Sequence, residues 1–176
     1  AREVANGCFC CNYNELNSYL EEFSETEHPD MIFAESVGTC TDLIATIAKP
    51  LSQSKPEIEI SISVFADAEL LSSFIEGRSS FLEESVRYVY KKQLEEADFL
   101  IVNKADLITR QQQSVVDRVL RKDHPSKTIL HQNSASEDDI QLWLRNINSS
   151  GSAVTRNSLH IDYDTYAEGE SKLAWL

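Results

Sequence analysis

Four consecutive apolar residues, Phe99-Leu100-Ile101-Val102, stand between two stretches whose apolar positions recur every three or four residues. An unbroken apolar run with a helix on either side suits a strand covered on both faces. A parallel sheet sandwiched between helices supplies that environment, so the chain is expected to alternate strands with crossover helices. The rest of the sequence can be placed on this frame. Helices are predicted over residues 14–25, 43–51 (stopped around Pro50), 69–75 (broken at Gly77), 82–97, 110–122 and 138–148. Strands are predicted over residues 2–5, 31–34, 99–102 and 128–131, and over 58–64, where Ile58, Ile60, Ile62 and Val64 alternate with polar residues. Residues 52–56 read as a loop, 148–152 as a Ser/Gly linker and 159–163 as a last strand. The tally of about five or six strands with about five helices predicts a three-layer α/β domain.

Charge narrows the partners. The 29 acidic residues against 16 Lys and Arg give a net charge of −13. A bulk-charge grip on nucleic acid or an anionic membrane needs clustered cations, so neither partner is expected. No apolar run approaches the ~18 residues of a membrane span, and no charged-then-apolar leader opens the chain. The opening Ala1-Arg2-Glu3-Val4 reads as mid-strand, so a fragment of something longer is expected.

Three of the four cysteines crowd into Gly7-Cys8-Phe9-Cys10-Cys11, and Cys40 is the fourth. Such crowding closes no useful disulfide loop, which points to a reducing compartment, the cytoplasm. The Cys8–Cys11 spacing lets two thiolates converge on a tetrahedral metal, and Cys10 joins them if the chain turns at Phe9. The fourth position is left for water, Cys40 or a partner's ligand. A thiol redox pair is the alternative chemistry. The histidines (His28, His124, His131, His160) show no metal-ligand spacing, and Glu137-Asp138-Asp139 reads as helix capping.

Asn103-Lys104-Ala105-Asp106 follows the apolar strand directly. Ligands of open α/β sheets gather at the carboxyl ends of strands, so the placement suits a site. A carboxylate at Asp106 can accept from the N1–H and the exocyclic amine of guanine, a donor pair that adenine lacks. Asn103 would brace the loop and the Lys104 stem would lie along the base. Ser134 and Ala135 follow the next strand, where small residues would let backbone amides approach the base carbonyl. Glu35 ends the strand at 31–34, placed to hold Mg²⁺ directly or through water. Gly38, three residues later, permits close backbone approach to a phosphate.

In this order, Gly-Cys-x-Cys-Cys, a strand ending in Glu-x-x-Gly, and Asn-Lys-x-Asp resemble the CobW-like branch of the SIMIBI-class P-loop GTPases, relatives of HypB and UreG. The resemblance runs from Glu3 to about Asn148, with residues 1–148 as a partial GTPase domain and 149–176 as linker and C-terminal extension. It implies a mostly parallel sheet with helices on both faces, and a GTP-binding metallochaperone or cofactor-insertion accessory in the cobalamin-related group. Cys8, Cys10 and Cys11 would bind zinc or cobalt; Glu35 and Gly38 would couple nucleotide state to that metal; Asn103, Lys104, Asp106, Ser134 and Ala135 would recognise guanine. GTP or GDP, Mg²⁺ and a client metalloprotein or cofactor-dependent enzyme are the implied companions, with a homodimer as a further option. Nothing in the 176 residues matches the family's Gly-x-x-Gly-x-Gly-Lys-Ser/Thr loop. The chain as written is therefore expected to lack the phosphate-loop strand and helix and to be inactive alone as a GTPase. A non-catalytic zinc-binding or buffering module with a degenerate nucleotide site is the alternative function.

Overall fold

The structure, a computed structural model, describes residues 1–4, 8–78, 83–133 and 136–149. Its elements run α1 (Tyr13–Thr26), a π-helical turn (Ile44–Ala48) continuing into α2 (Lys49–Ser54), β1 (Ser63–Asp67), α3 (Ala68–Ile75) and α4 (Glu84–Glu96). There follow β2 (Phe99–Asn103), a 3₁₀ turn (Ala105–Leu107), α5 (Arg110–Asp123), β3 (Thr128–Gln132) and α6 (Glu137–Ser149). The sheet is parallel in the order β1-β2-β3, with Ser63 opposite Phe99 and Phe99 opposite Thr128. That register brings Asp67, Asn103 and Gln132 to one row at the carboxyl edge.

Alternate side chains of each strand fill two different layers. Val64, Ala66, Leu100, Val102 and Ile129 pack with Leu71 of α3, Leu94 of α4 and Val116 and Leu120 of α5. On the opposite face, Trp143 of α6 stands edge-on to Phe65 at 5.1 Å and donates its indole N–H to Ser63 Oγ at 3.0 Å. Phe99 and Ile101, only 2% and 1% exposed, are buried as well. Burial on both faces is why β2 carries no polar residue before Asn103, and each such side chain contributes roughly 1.5–3 kcal/mol. The chain is thus an α/β protein with a parallel sheet and helices, a P-loop GTPase-like architecture.

A second apolar cluster lies apart from the sheet. Leu16 of α1 meets Ile47 and Leu51, with Phe9, Leu43 and Ile60 packed against them. Here the structure corrects three expectations. The alternation at 58–64 does not mark the ladder, which begins at Ser63 and runs on to Asp67. Ile60 belongs to the second cluster instead, and β2, the partner strand, starts only at Phe99 after α4 ends. Residues 31–34 form no strand, nor do the described residues 2–4, since neither stretch pairs with a neighbouring backbone among the described residues. Phe33 nevertheless docks on Trp143 at 5.6 Å. The sheet among the described residues therefore has three strands, fewer than the five or six expected.

The helix at 43–51 does not stop at Pro50 but continues to Ser54. Its π turn, closed by Lys49 N–H to Ile44 O, hands over to α2 so that Pro50 falls in the first α-helical turn, where a missing N–H is harmless. The expected linker at 148–152 begins inside α6, and its remainder, with the expected strand at 159–163, lies outside the described residues. None of the described helices is long and apolar enough to cross a membrane.

Candidate functional site

The cysteine loop is a tight turn leading into α1. Cys8 O accepts from the amides of Cys11 and Asn12, both at 3.1 Å, and Asn12 O in turn accepts from Glu15 and Leu16 N–H at the start of α1. Phe9 is drawn into the second apolar cluster, which leaves Cys8 half-buried and Cys10 and Cys11 exposed. The three sulfurs lie within 4.8 Å of one another, with Cys8 Sγ 2.8 Å from Cys10 Sγ and 3.2 Å from Cys11 Sγ. Hydrogen bonding to Cys10, then to Cys11, lowers the Cys8 thiol to about 6. The same bond to Cys8, with burial, pushes Cys10 up to about 12. At neutral pH Cys8 is therefore a thiolate beside a protonated Cys10, and three gathered sulfurs are a donor set suited to a soft cation. Tetrahedral coordination at ~2.3 Å separates sulfurs by roughly 3.8 Å, so the gathered thiols fit zinc after a small outward adjustment.

The next stretch runs beside this loop. Cys40 is buried, only 7% exposed, and its N–H donates to Val37 O at 2.8 Å. Two side chains of α4 hold the same stretch from the other side. Gln93 Nε2 donates to Gly38 O at 2.9 Å and to Cys40 O at 3.0 Å, while Glu96 Oε2 accepts from Leu43 N–H at 3.1 Å. Asp42, between them, sits at a φ of +59°, a strained conformation for a side-chain-bearing residue. Glu35 is exposed, and a Cβ added at Gly38 would meet nothing within 4 Å, leaving open space over that backbone.

At the carboxyl edge of the sheet, Asn103 Oδ1 accepts from Lys104 N–H at 2.9 Å. Lys104 adopts the left-handed conformation, φ +55°, and its Nζ pairs with Asp67 at 3.0 Å. The 3₁₀ turn that follows presents Asp106 to solvent, and Gln113 of α5 donates to Ala105 O at 2.7 Å to secure it. Asn133 lies at the same edge beyond β3, its N–H bonded to Asp139 of α6 at 2.8 Å. Ser134 and Ala135 lie outside the described residues. The structure thus assembles two groupings: the thiols with the stretch around Cys40, and Asn103, Lys104 and Asp106 with Asp67. Glu35 is brought into neither by a described hydrogen bond or ion pair.

Residues 1–131 match the family model described as the CobW/HypB/UreG nucleotide-binding domain. The chain belongs to the CobW/HypB/UreG family. The match takes in the cysteine loop, the stretch after it and the Asn-Lys-x-Asp turn, and the CobW/HypB/UreG proteins are metal-handling, nucleotide-binding GTPases. No solved structure matches the chain. Around these CobW-type motifs stand three residues that sequence reasoning passed over. Asp67 was legible as a polar residue between a strand and a helix, the usual place for a cap. Gln93 and Glu96 carry no such signal, because a Gln or Glu late in an amphipathic helix reads as solvated surface.

Proposed function

We propose that this domain couples guanine-nucleotide binding and hydrolysis, in the full-length protein, to the binding and delivery of a transition metal, zinc or cobalt. The recipient is a client metalloprotein or a cofactor-dependent enzyme, and the setting is the cytoplasm, where thiols stay reduced. The observation that carries this reading is the convergence of three thiols within 4.8 Å in a domain of a nucleotide-binding, metal-handling family. Cys8, Cys10 and Cys11 hold the cargo. Asp106 accepts from guanine, Lys104 lies along the base and Asn103 keeps the turn in shape. Ser134 and Ala135 line the base carbonyl. Glu35, an exposed carboxylate, suits a hydrated Mg²⁺, and Gly38 gives the backbone access to the terminal phosphate. Residues 1–148 form the GTPase part and 149–176 begin a C-terminal extension.

Calorimetric titration of the full-length protein tests this. GTP and GDP are expected to bind and ATP is not. Asp106→Asn should weaken guanine nucleotides by about 100-fold, since two charge-assisted bonds worth ~1.5–3 kcal/mol each are weakened. Cys10→Ser should lower metal binding from one ion per chain. A full-length protein that binds neither GTP nor GDP overturns the reading. If it still keeps its metal, it is a buffering module instead.

A further inference from the structure

Three thiols within Cys8-Phe9-Cys10-Cys11 can react with one another as well as with a metal, and the turn that carries them selects which two. Cys11 N–H donates to Cys8 O at 3.1 Å, the bond of a four-residue turn with Cys8 at its start and Cys11 at its end. Such a turn holds its end Cα atoms within about 7 Å, close to the ~4.4–6.8 Å that a disulfide spans. The two sulfurs already meet, Sγ to Sγ at 3.2 Å. Cys10 Sγ also lies close to Cys8 Sγ, at 2.8 Å, but a bridge between those two has to close around Phe9 alone, whose side chain is fixed in the second apolar cluster. A Cys8–Cys11 bridge leaves both Phe9 and the turn's own hydrogen bond in place. Tyr13 packs into the same cluster, so the loop is anchored on both sides of Cys10 and Cys11, while those two side chains stay exposed to small molecules in solution. Backbone bonds and packing therefore set the positions of the sulfurs.

We infer that Cys8 and Cys11 form a reversible disulfide by exchange with a low-molecular-weight disulfide, and that this bond expels the metal, making the cluster a redox-gated cargo site. The inference rests on the reading that Cys8, Cys10 and Cys11 hold the cargo, and it adds what makes them let go. One thiolate of the pair attacks a sulfur of the oxidant RSSR; the S–S bond of the oxidant breaks, RS⁻ leaves and a mixed disulfide forms. The other thiolate attacks the protein-side sulfur of that mixed disulfide, closing the Cys8–Cys11 bond and expelling the second RS⁻. The pair loses two electrons and the oxidant gains them. The two RS⁻ groups take up the thiol protons, or protons from solvent where a metal has already displaced them, and leave as RSH. A disulfide sulfur is no longer a thiolate, so the shell loses two of its three ligands and Cys10 alone does not retain a divalent ion. Thiols of a reducing compartment run both steps backwards and restore the site.

Full-length protein loaded with zinc and exposed to oxidised glutathione decides this. Peptide mapping by mass spectrometry is expected to show a Cys8–Cys11 disulfide, and a chelating dye about one zinc ion released for each disulfide formed. Excess dithiothreitol should reopen the bond and let zinc rebind. In Cys11→Ser the reaction should stop at a glutathione adduct, because the second attack has lost its nucleophile across the turn. A wild-type protein that carries only glutathione adducts, a bridge mapped to Cys8–Cys10, or a Cys8–Cys11 bridge formed with zinc retained overturns the inference. An intraloop disulfide that forms in Cys11→Ser as fast as in wild type does the same. The two readings fail separately. A full zinc complement with no disulfide leaves the metal site standing and ends the redox gate, whereas a disulfide in a protein that takes up no zinc beforehand ends the metal reading and the gate with it. Should Cys11→Ser not fold, the wild-type map decides alone.

Discussion

Asp67 caps one element and steadies another. Its Oδ1 accepts from Glu69 and Leu70 N–H, both at 3.1 Å, at the start of α3, while its Oδ2 holds Lys104 Nζ. Left-handed backbone at Lys104 costs roughly 1–2 kcal/mol, so the turn that presents Asp106 needs such bonds to persist. The ion pair is partly solvated, its side chains 35% and 49% exposed, so Asp67→Asn should lose under about 1 kcal/mol in urea denaturation. Asp67→Ala also removes the cap and should lose about 1 kcal/mol more; equal losses in the two variants would contradict the capping role. Burial alone would raise the Asp67 carboxyl, but the Leu70 amide and Lys104 prevail and hold it below 3.8. Its stabilisation is therefore complete above pH 3.8 and is lost as pH falls through the lower folded value, so the gap between wild type and Asp67→Asn should close on acidification. Tyr90 is the opposite case. Its hydroxyl is buried with no hydrogen-bond partner among the described residues, so Tyr90→Phe should leave stability unchanged or raise it by up to about 1 kcal/mol. A loss of that size would show that the hydroxyl is bonded.

Among the elements, α4 has the most to do with the site. Glu96, 4% exposed, accepts from Leu43 N–H where the π-helical turn begins, and Gln93 holds the carbonyls just upstream. Burial raises the Glu96 carboxyl above its ordinary 4.5. A raised folded value means stability from this group is greatest below pH 4.5 and is lost as pH climbs through the folded value. Glu96→Gln retains an oxygen acceptor for Leu43 without the buried charge, so its stability should decline less than wild type over that window. Parallel declines would show that Glu96 is not the titrating group. Glu96→Ala leaves the amide unpaired and should cost about 1–3 kcal/mol. The span of α4 was legible in the sequence, as were α1, α3, α5 and α6 within a residue or two, because helical periodicity is a local property. Strands were legible only where a neighbour exists. β2 and β3 stand where expected, whereas 31–34 has apolar residues but no strand partner among the described residues, and Ile60 of the alternation at 58–62 packs against α1 and α2. The functions of Gln93 and Glu96 appear only once the chain brings residues 38–43 against their helix.

At the scale of the whole molecule, two apolar clusters meet along residues 38–43. One organises the sheet with α3, α4 and α5; the other joins α1 to the helix at 44–54 and holds the cysteine loop by Phe9. Between them the chain is secured by polar bonds from Gln93 and Glu96, by Leu43 in the second cluster and by the burial of Cys40. The sequence order of the motifs pointed to this family, and the placement of the thiols follows from Phe9 turning inward, which the Cys-Phe-Cys-Cys pattern only hinted at. A seam of this kind suits linkage: a ligand that prefers one arrangement of the seam alters the affinity of the other, and the effect is reciprocal. The most direct measurement is zinc affinity of the full-length protein with no nucleotide, with GDP and with a non-hydrolysable GTP analogue. Zinc affinity is expected to differ by at least about fivefold between the two nucleotide states, with analogue and GDP affinities shifting by the same relative factor when zinc is saturating. Identical zinc affinities in all three states would contradict the coupling.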